Sequence, residues 1–216
     1  MSHALGKNVF HVTGPFNRHM LENFLIFVQE VDRAEENEIT LLINSPGGSL
    51  SVLKTMLDVM YSSQVEFTTV ASGLAASCGL LLLMAGDKRL AFPEADIMSH
   101  PFSSGSKGTY WDLVADRDML DRTHKFMLHH YMLHTGLAKE DVENYLLQPT
   151  DVWLTAKQAM ELNIVDGVVS KHAKPIGSVA KQKNLIARKK NILKEAEKLM
   201  KQFESKEDNN SKEKGK

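Results

Sequence analysis

The sequence predicts an α/β fold with a mostly parallel sheet. Three observations carry that expectation: short apolar runs alternate with segments of helical period, no repeat of fixed length accompanies the alternation, and 216 residues with 43% hydrophobic content suffice for one substantial core. Residues 8–13 (NVFHVT) read as the first strand. Residues 17–34 follow with Met20, Leu21, Phe24, Leu25, Phe27, Val28 and Val31 at helical spacing, and 38–43 form a second strand. The pattern continues as helix 49–62, strand 65–71, a buried helix from Ser77, and strands near 89–92 and 96–99.

A Ser/Gly-rich stretch, 101–108 (PFSSGSKG), then interrupts the regularity. A long helix is expected over about 110–134, with Gly136 placed to end it. Helix 139–147, a break at Gln148-Pro149-Thr150, helix 155–162 and strand 164–169 complete the body. Beyond Lys171 the composition changes: 185–203 sets Leu185, Ile192, Leu193, Ala196, Leu199, Met200 and Phe203 at helical spacing among charges, and 204–216 reads as disordered.

The formal net charge of −1 conceals an asymmetry. Residues 181–216 carry 12 Lys/Arg against 6 Asp/Glu, whereas the first 180 residues carry 14 against 21. An acidic body argues against nucleic acid as the substrate, because phosphate binding needs a basic face. The single Cys78 rules out an intrachain disulfide and a cysteine-rich zinc site. Residues 1–7 hold no apolar run of signal-peptide length, and the longest nearly apolar segment, 73–85, is shorter than the roughly 20 residues a spanning helix needs. These features lead to the expectation of a cytoplasmic protein with no membrane segment.

Two motifs carry chemistry. Serine is a weak nucleophile at neutral pH, so a working serine needs a base for its proton and donors for the oxyanion it creates. Ala75-Ala76-Ser77-Cys78-Gly79 has the small-residue setting of a strand-turn-helix serine elbow, with Ala in place of the first Gly of G-x-S-x-G. If Ser77 opens a helix, the Cys78 amide is free to donate. Ser45-Pro46-Gly47-Gly48-Ser49 follows a strand and opens a helix, and its paired glycines can aim an amide. Taken singly, each motif reads first as ordinary structure, a serine cap and a tight turn. No phosphate-loop pattern is present. His130 and His134 sit four apart, a spacing that can hold a metal, but no further clustered ligand accompanies them, and no metal or cofactor is expected.

The ordered set of SPGGS, GLAASCG about 30 residues later, and Met98-Ser99-His100-Pro101 resembles the Clp protease proteolytic subunit, a serine peptidase family of the crotonase superfamily. His134-Thr135-Gly136 and Asp151-Val152-Trp153-Leu154-Thr155-Ala156, followed by Ala159, Ile164, Val165 and Asp166, extend the likeness over about 7–170. The resemblance implies a crotonase-like superhelix of repeated β-β-α and βαβ units, with a long handle helix within about 101–136 and a C-terminal helical tail. It divides the chain into an arm at 1–7, a peptidase domain at 8–172 and a basic tail at 173–216. Carried over by position, it implies Ser77 as nucleophile, His100 as base, Asp151 as orienting carboxylate, and the Gly48 and Cys78 amides as oxyanion donors.

It also implies a polypeptide substrate and a homo-oligomer, expected as a heptameric ring, with a double ring and an AAA+ unfoldase partner left open. Two departures bear on assembly. Only 1–7 precede the first strand, where the family has a longer gating segment, and Pro149-Thr150 stands where the family often has a Glu-Arg pair that couples two rings. Three alternatives stay open: a processing protease of the same superfamily, as in viral capsid maturation; an inactive structural subunit; and a crotonase-like enzyme acting on acyl-CoA.

Overall fold

The computed structural model describes residues 8–169 except 104 and 106. The expected arm at 1–7 and tail at 173–216 lie outside the described residues.

The chain runs β1 (Val9–Thr13), α1 (Arg18–Arg33), β2 (Glu38–Ser45), α2 (Leu50–Ser62), β3 (Glu66–Ala76), α3 (Cys78–Ala85), β4 (Lys88–Ala91), β5 (Asp96–Ser99), α4 (Tyr110–Thr135), α5 (Lys139–Tyr145), β6 (Val152–Leu154), α6 (Ala156–Glu161) and β7 (Gly167–Val168). Strands β1, β2, β3, β4 and β7 neighbour one another in that order, all parallel. β5 runs parallel to the end of β3, and β6 is antiparallel to β5. The expected α/β class with a parallel sheet is therefore what forms.

α1 starts because the Asn17 side chain accepts from Met20 N–H at 2.9 Å. It buries Met20, Phe24, Val28 and Val31, a single stripe. Phe24 meets Phe10 edge-on at 5.6 Å, seating the helix on β1. α3 is buried at every residue, as its uninterrupted apolar sequence requires. α4 begins with a capping box between Thr109 and Asp112 and ends at Gly136, whose φ of +77° suits a residue without a Cβ. Its buried residues begin only at Thr123; Tyr110, Trp111, Leu113, Val114 and Met119 of the first half are exposed.

β2 runs on to Ser45 and β6 forms where no strand was expected, and three other elements differ from their expected lengths for identifiable reasons. β3 extends to Ala76 because it serves two partners in turn: Thr68–Ala71 pair with β4 and Leu74–Ala76 with β5. Gly73, at φ +83°, lies between the two stretches, and the Asn44 side chain accepts from Leu74 N–H at 3.2 Å. α5 stops at Tyr145 because Leu146 and Leu147 N–H both turn to the Val142 carbonyl. β7 shrinks to two residues because Ile164 N–H closes the end of α6 on the Ala159 carbonyl at 2.8 Å.

Arg89, 4% exposed, ties the far edge together. Its guanidinium reaches Asp166 Oδ1 at 2.7 Å, and one terminal nitrogen donates to the carbonyls of His134 (2.9 Å) and Asn163 (2.8 Å). One side chain thus joins β4, the end of α4 and the approach to β7. Among the described residues no helix is long and apolar enough to cross a membrane.

Candidate active site

β3 gives way to α3 at a single residue, Ser77. Its φ of +53° and ψ of −118° lie where residues with side chains rarely go, a strain of about 1–3 kcal/mol. Two bonds hold the conformation: Ser77 N–H donates to the Met98 carbonyl (3.0 Å), and Leu81 N–H donates to the Ser77 carbonyl (3.1 Å). The hydroxyl makes no cap bond to the helix, which a serine that merely caps would do. Instead Ser77 Oγ lies 2.8 Å from Nε2 of His100. His100 gets there because β5 pairs Ala75 with Ile97 and Ala76 with Met98, so the chain leaving β5 passes beside the start of α3.

The Ser45–Ser49 turn packs directly on this elbow. Ser45 Oγ, buried, donates to the Gly14 carbonyl at 2.6 Å and accepts from Gly47 N–H at 3.1 Å. A Cβ at Gly47, whose φ is +96°, would fall 2.7 Å from Ser77 Cβ and 2.9 Å from the Ala76 carbonyl oxygen. Only glycine permits that approach. Phe16 N–H donates to the Gly47 carbonyl at 2.8 Å, which turns the N–H of the same trans peptide, that of Gly48, away from Phe16. Neither the Gly48 nor the Cys78 N–H donates to another described residue. The Cys78 thiol is buried, its pKa raised by that burial, and it donates to the Gly48 carbonyl at 3.3 Å. It is a packed thiol, not a thiolate.

These groups line a pocket of about 100 Å³ with Leu50, Leu81, Phe102, Ser103 and Met127, polar at the serine and apolar beyond it. A larger cleft of about 360 Å³ lies along β1 and the start of α1; it contains His11 and His19 but no serine or cysteine beside them.

The remaining expected residues fall as follows. Asp151 precedes β6, whose antiparallel pairing ends at Ser99 opposite Val152, so Asp151 stands one register step on, across from His100. Its side chain is exposed, and no hydrogen bond or ion pair joins it to His100 among the described residues. It does not cap α6 either, since Thr155 does so with Gln158 in a capping box. His130 and His134 are buried in the core, with Nε2 of His130 2.8 Å from the Leu81 carbonyl and Nε2 of His134 3.0 Å from the Tyr61 hydroxyl.

The chain matches the Clp protease family over residues 2–172. It belongs to that family. It is 40% identical over 148 residues to the ATP-dependent Clp protease proteolytic subunit 2 of Thermobifida fusca, covering 68% of this chain and 71% of that one. The proteins of the same name from Rhodococcus jostii (39% over 143 residues, 65% of this chain and 72% of the relative) and Corynebacterium diphtheriae (37% over 143 residues, 65% and 71%) are similar to it as well. As a member of the Clp protease family the chain is a peptidase, and a site built on a serine and a histidine suits that chemistry.

Sequence reasoning did not single out Arg89 or the buried hydroxyl pair of Ser99 and Tyr131, which are 2.6 Å apart. A signal existed for each. Strand alternation turns Arg89 and Ser99 inward, and an inward polar residue requires a partner.

Proposed function

We propose that the chain is a serine endopeptidase that cleaves unfolded polypeptides or peptides through an acyl-enzyme on Ser77, with His100 as base and Asp151 as orienting carboxylate. The observation that carries this reading is the 2.8 Å contact between Ser77 Oγ and His100 Nε2 on a residue held at φ +53°. His100 takes the hydroxyl proton as Oγ attacks the peptide carbonyl, then returns it to the leaving amine. The oxyanion of the tetrahedral intermediate is met by the Gly48 and Cys78 N–H groups, and water, activated by the same imidazole, hydrolyses the ester. Asp151 acts once its carboxylate swings from solvent to Nδ1 of His100, the residue that stands across from it.

The apolar end of the pocket, Leu50, Leu81, Phe102 and Met127, favours substrates with an apolar side chain before the cleaved bond. The names of the relatives support work as the proteolytic subunit of an ATP-dependent assembly. In this reading the chain forms a ring-shaped cytoplasmic homo-oligomer, heptameric and open to a double ring, fed by an AAA+ unfoldase. The exposed apolar residues in the first half of α4 offer a surface for such assembly. A strained serine bonded to a histidine argues against an inactive structural subunit, which has no use for either. A processing protease of the same superfamily shares this chemistry and differs in substrate alone.

The test is labelling of the assembled protein with a fluorophosphonate, the adduct being mapped by mass spectrometry. Label on Ser77, absent from His100→Ala, is the expected result; an unlabelled Ser77 in the wild type sinks the proposal. A second expected result concerns the turn. Gly47→Ala should lower kcat by about a hundred- to a thousandfold, the range for losing one oxyanion donor, because the added Cβ would displace the elbow or the turn. Steady-state kinetics on a short peptide checks it, and a kcat within a few fold of wild type would remove the turn from the mechanism.

A further inference from the structure

Ser99 is wholly buried and faces the core from the last position of β5, immediately before His100. Its Oγ lies 2.6 Å from the Tyr131 hydroxyl and 2.5 Å from the Leu146 carbonyl. A carbonyl only accepts, so the Ser99 O–H donates to Leu146, and the Tyr131 O–H in turn donates to Ser99. The order of this chain is therefore set. Burial pushes the Tyr131 phenol well above its ordinary pKa, so it remains a donor at any pH the protein meets.

The other end of the same segment is also held by Ser99, whose backbone pairs with Val152 in the β5–β6 ladder. One residue thus closes both ends of the 147–151 loop, by its side chain at Leu146 and its main chain at Val152. The last residue of that loop is Asp151. From these contacts we infer that Ser99 and Tyr131 form a buried latch that sets the position of Asp151 against His100. Both are positioning residues: neither lines the pocket, so neither touches substrate. The inference rests on the triad proposed above.

An apolar pair would fill the same space but leave the Leu146 carbonyl, at the frayed end of α5, without its donor. The Leu146 end would then lose its tie to β5 and be held only from its own side, by the bonds to Val142 and the burial of Leu146 and Leu147. The carboxylate would sample more positions, and the imidazole would be oriented in a smaller fraction of them.

A double-mutant cycle on the assembled full chain tests this, using kcat and KM for a short peptide. Ser99→Ala removes the hydroxyl that donates to the Leu146 carbonyl and leaves the main-chain pairing with Val152 in place. It should lower kcat about tenfold with KM unchanged, yet change kcat less than about twofold in an Asp151→Asn background, because a latch that acts through Asp151 has nothing to act on there. Equal losses in both backgrounds, or no loss in the wild type, overturn the latch while leaving the triad standing. If Asp151→Asn alone does not slow turnover, the carboxylate assignment fails and the latch falls with it. Should Ser99→Ala not fold, Tyr131→Phe, which keeps the ring and removes the donor that orders the Ser99 hydroxyl, is read in the same cycle by the same criteria.

Discussion

Ser77→Ala is expected to lower kcat for peptide hydrolysis by about ten-thousand- to a millionfold, the range seen when a triad nucleophile is removed. The size follows from what remains. Without Oγ no acyl-enzyme forms, and the oxyanion donors and bound substrate can only assist direct attack by water. The variant should otherwise be intact. Alanine at φ +53° is no more strained than serine there, and the two backbone bonds to Met98 and Leu81 do not involve the hydroxyl. Assembly and thermal unfolding should therefore match the wild type, and the loss should appear in kcat, not KM. His100→Ala should fall in the same range, and combining the two should cost little more, because the residues act as a unit. Peptide hydrolysis by a highly purified Ser77→Ala protein at more than about a hundredth of the wild-type rate would show that the reaction runs elsewhere, since triad loss costs far more than that.

Arg89→Ala is expected to have the largest effect on stability, about 1–3 kcal/mol, the range for leaving polar groups without their donor, since Arg89 is buried while Asp166 keeps partial access to water. Asp166 would keep its charge while losing the guanidinium that lies 2.7 Å from it. The carbonyls of His134 and Asn163 would lose a donor at the same time. Because those two carbonyls lie at the end of α4 and just after α6, the damage should spread to both elements. Denaturant unfolding at a fixed protein concentration measures it. Replacing both charges, as Arg89→Met with Asp166→Leu, should recover part of the loss, because no carboxylate is then left without its partner. A midpoint for Arg89→Ala equal to that of the wild type would show that the pair is solvated in solution.

The expected site was legible to different depths. The motifs at Ser77, Gly47 and Gly48 are local, made of small neighbours, a turn after a strand and the start of a helix, but alone they read as a serine cap and a tight turn, and only the ordered set of motifs pointed to a site. His100 could be paired with Ser77 only through the order of motifs shared with a family, since 23 residues of chain separate them. Asp151 could be found the same way, but not the present direction of its carboxylate. That depends on the loop from Leu146 and on which rotamer solvent favours. The histidines at 130 and 134 show the reverse case. Their spacing suits a metal site, whereas tertiary packing buries both and gives each another hydrogen-bond partner.

Sequence by itself determined the α/β class, the run of strands and helices apart from β6, the helix end at Gly136 and the strand-to-helix turn at Ser77. Each is controlled by side-chain periodicity, or by the steric demands of one turn, over distances of a few residues. Tertiary structure alone decided that β3 serves β4 and β5 in succession, that Arg89 clamps two helix ends to the sheet, and that Ser99 closes the loop bearing Asp151. In those cases the partners lie far apart along the chain. A polar side chain at an inward position announces only that it needs a hydrogen bond, and the folded chain alone determines which group provides it.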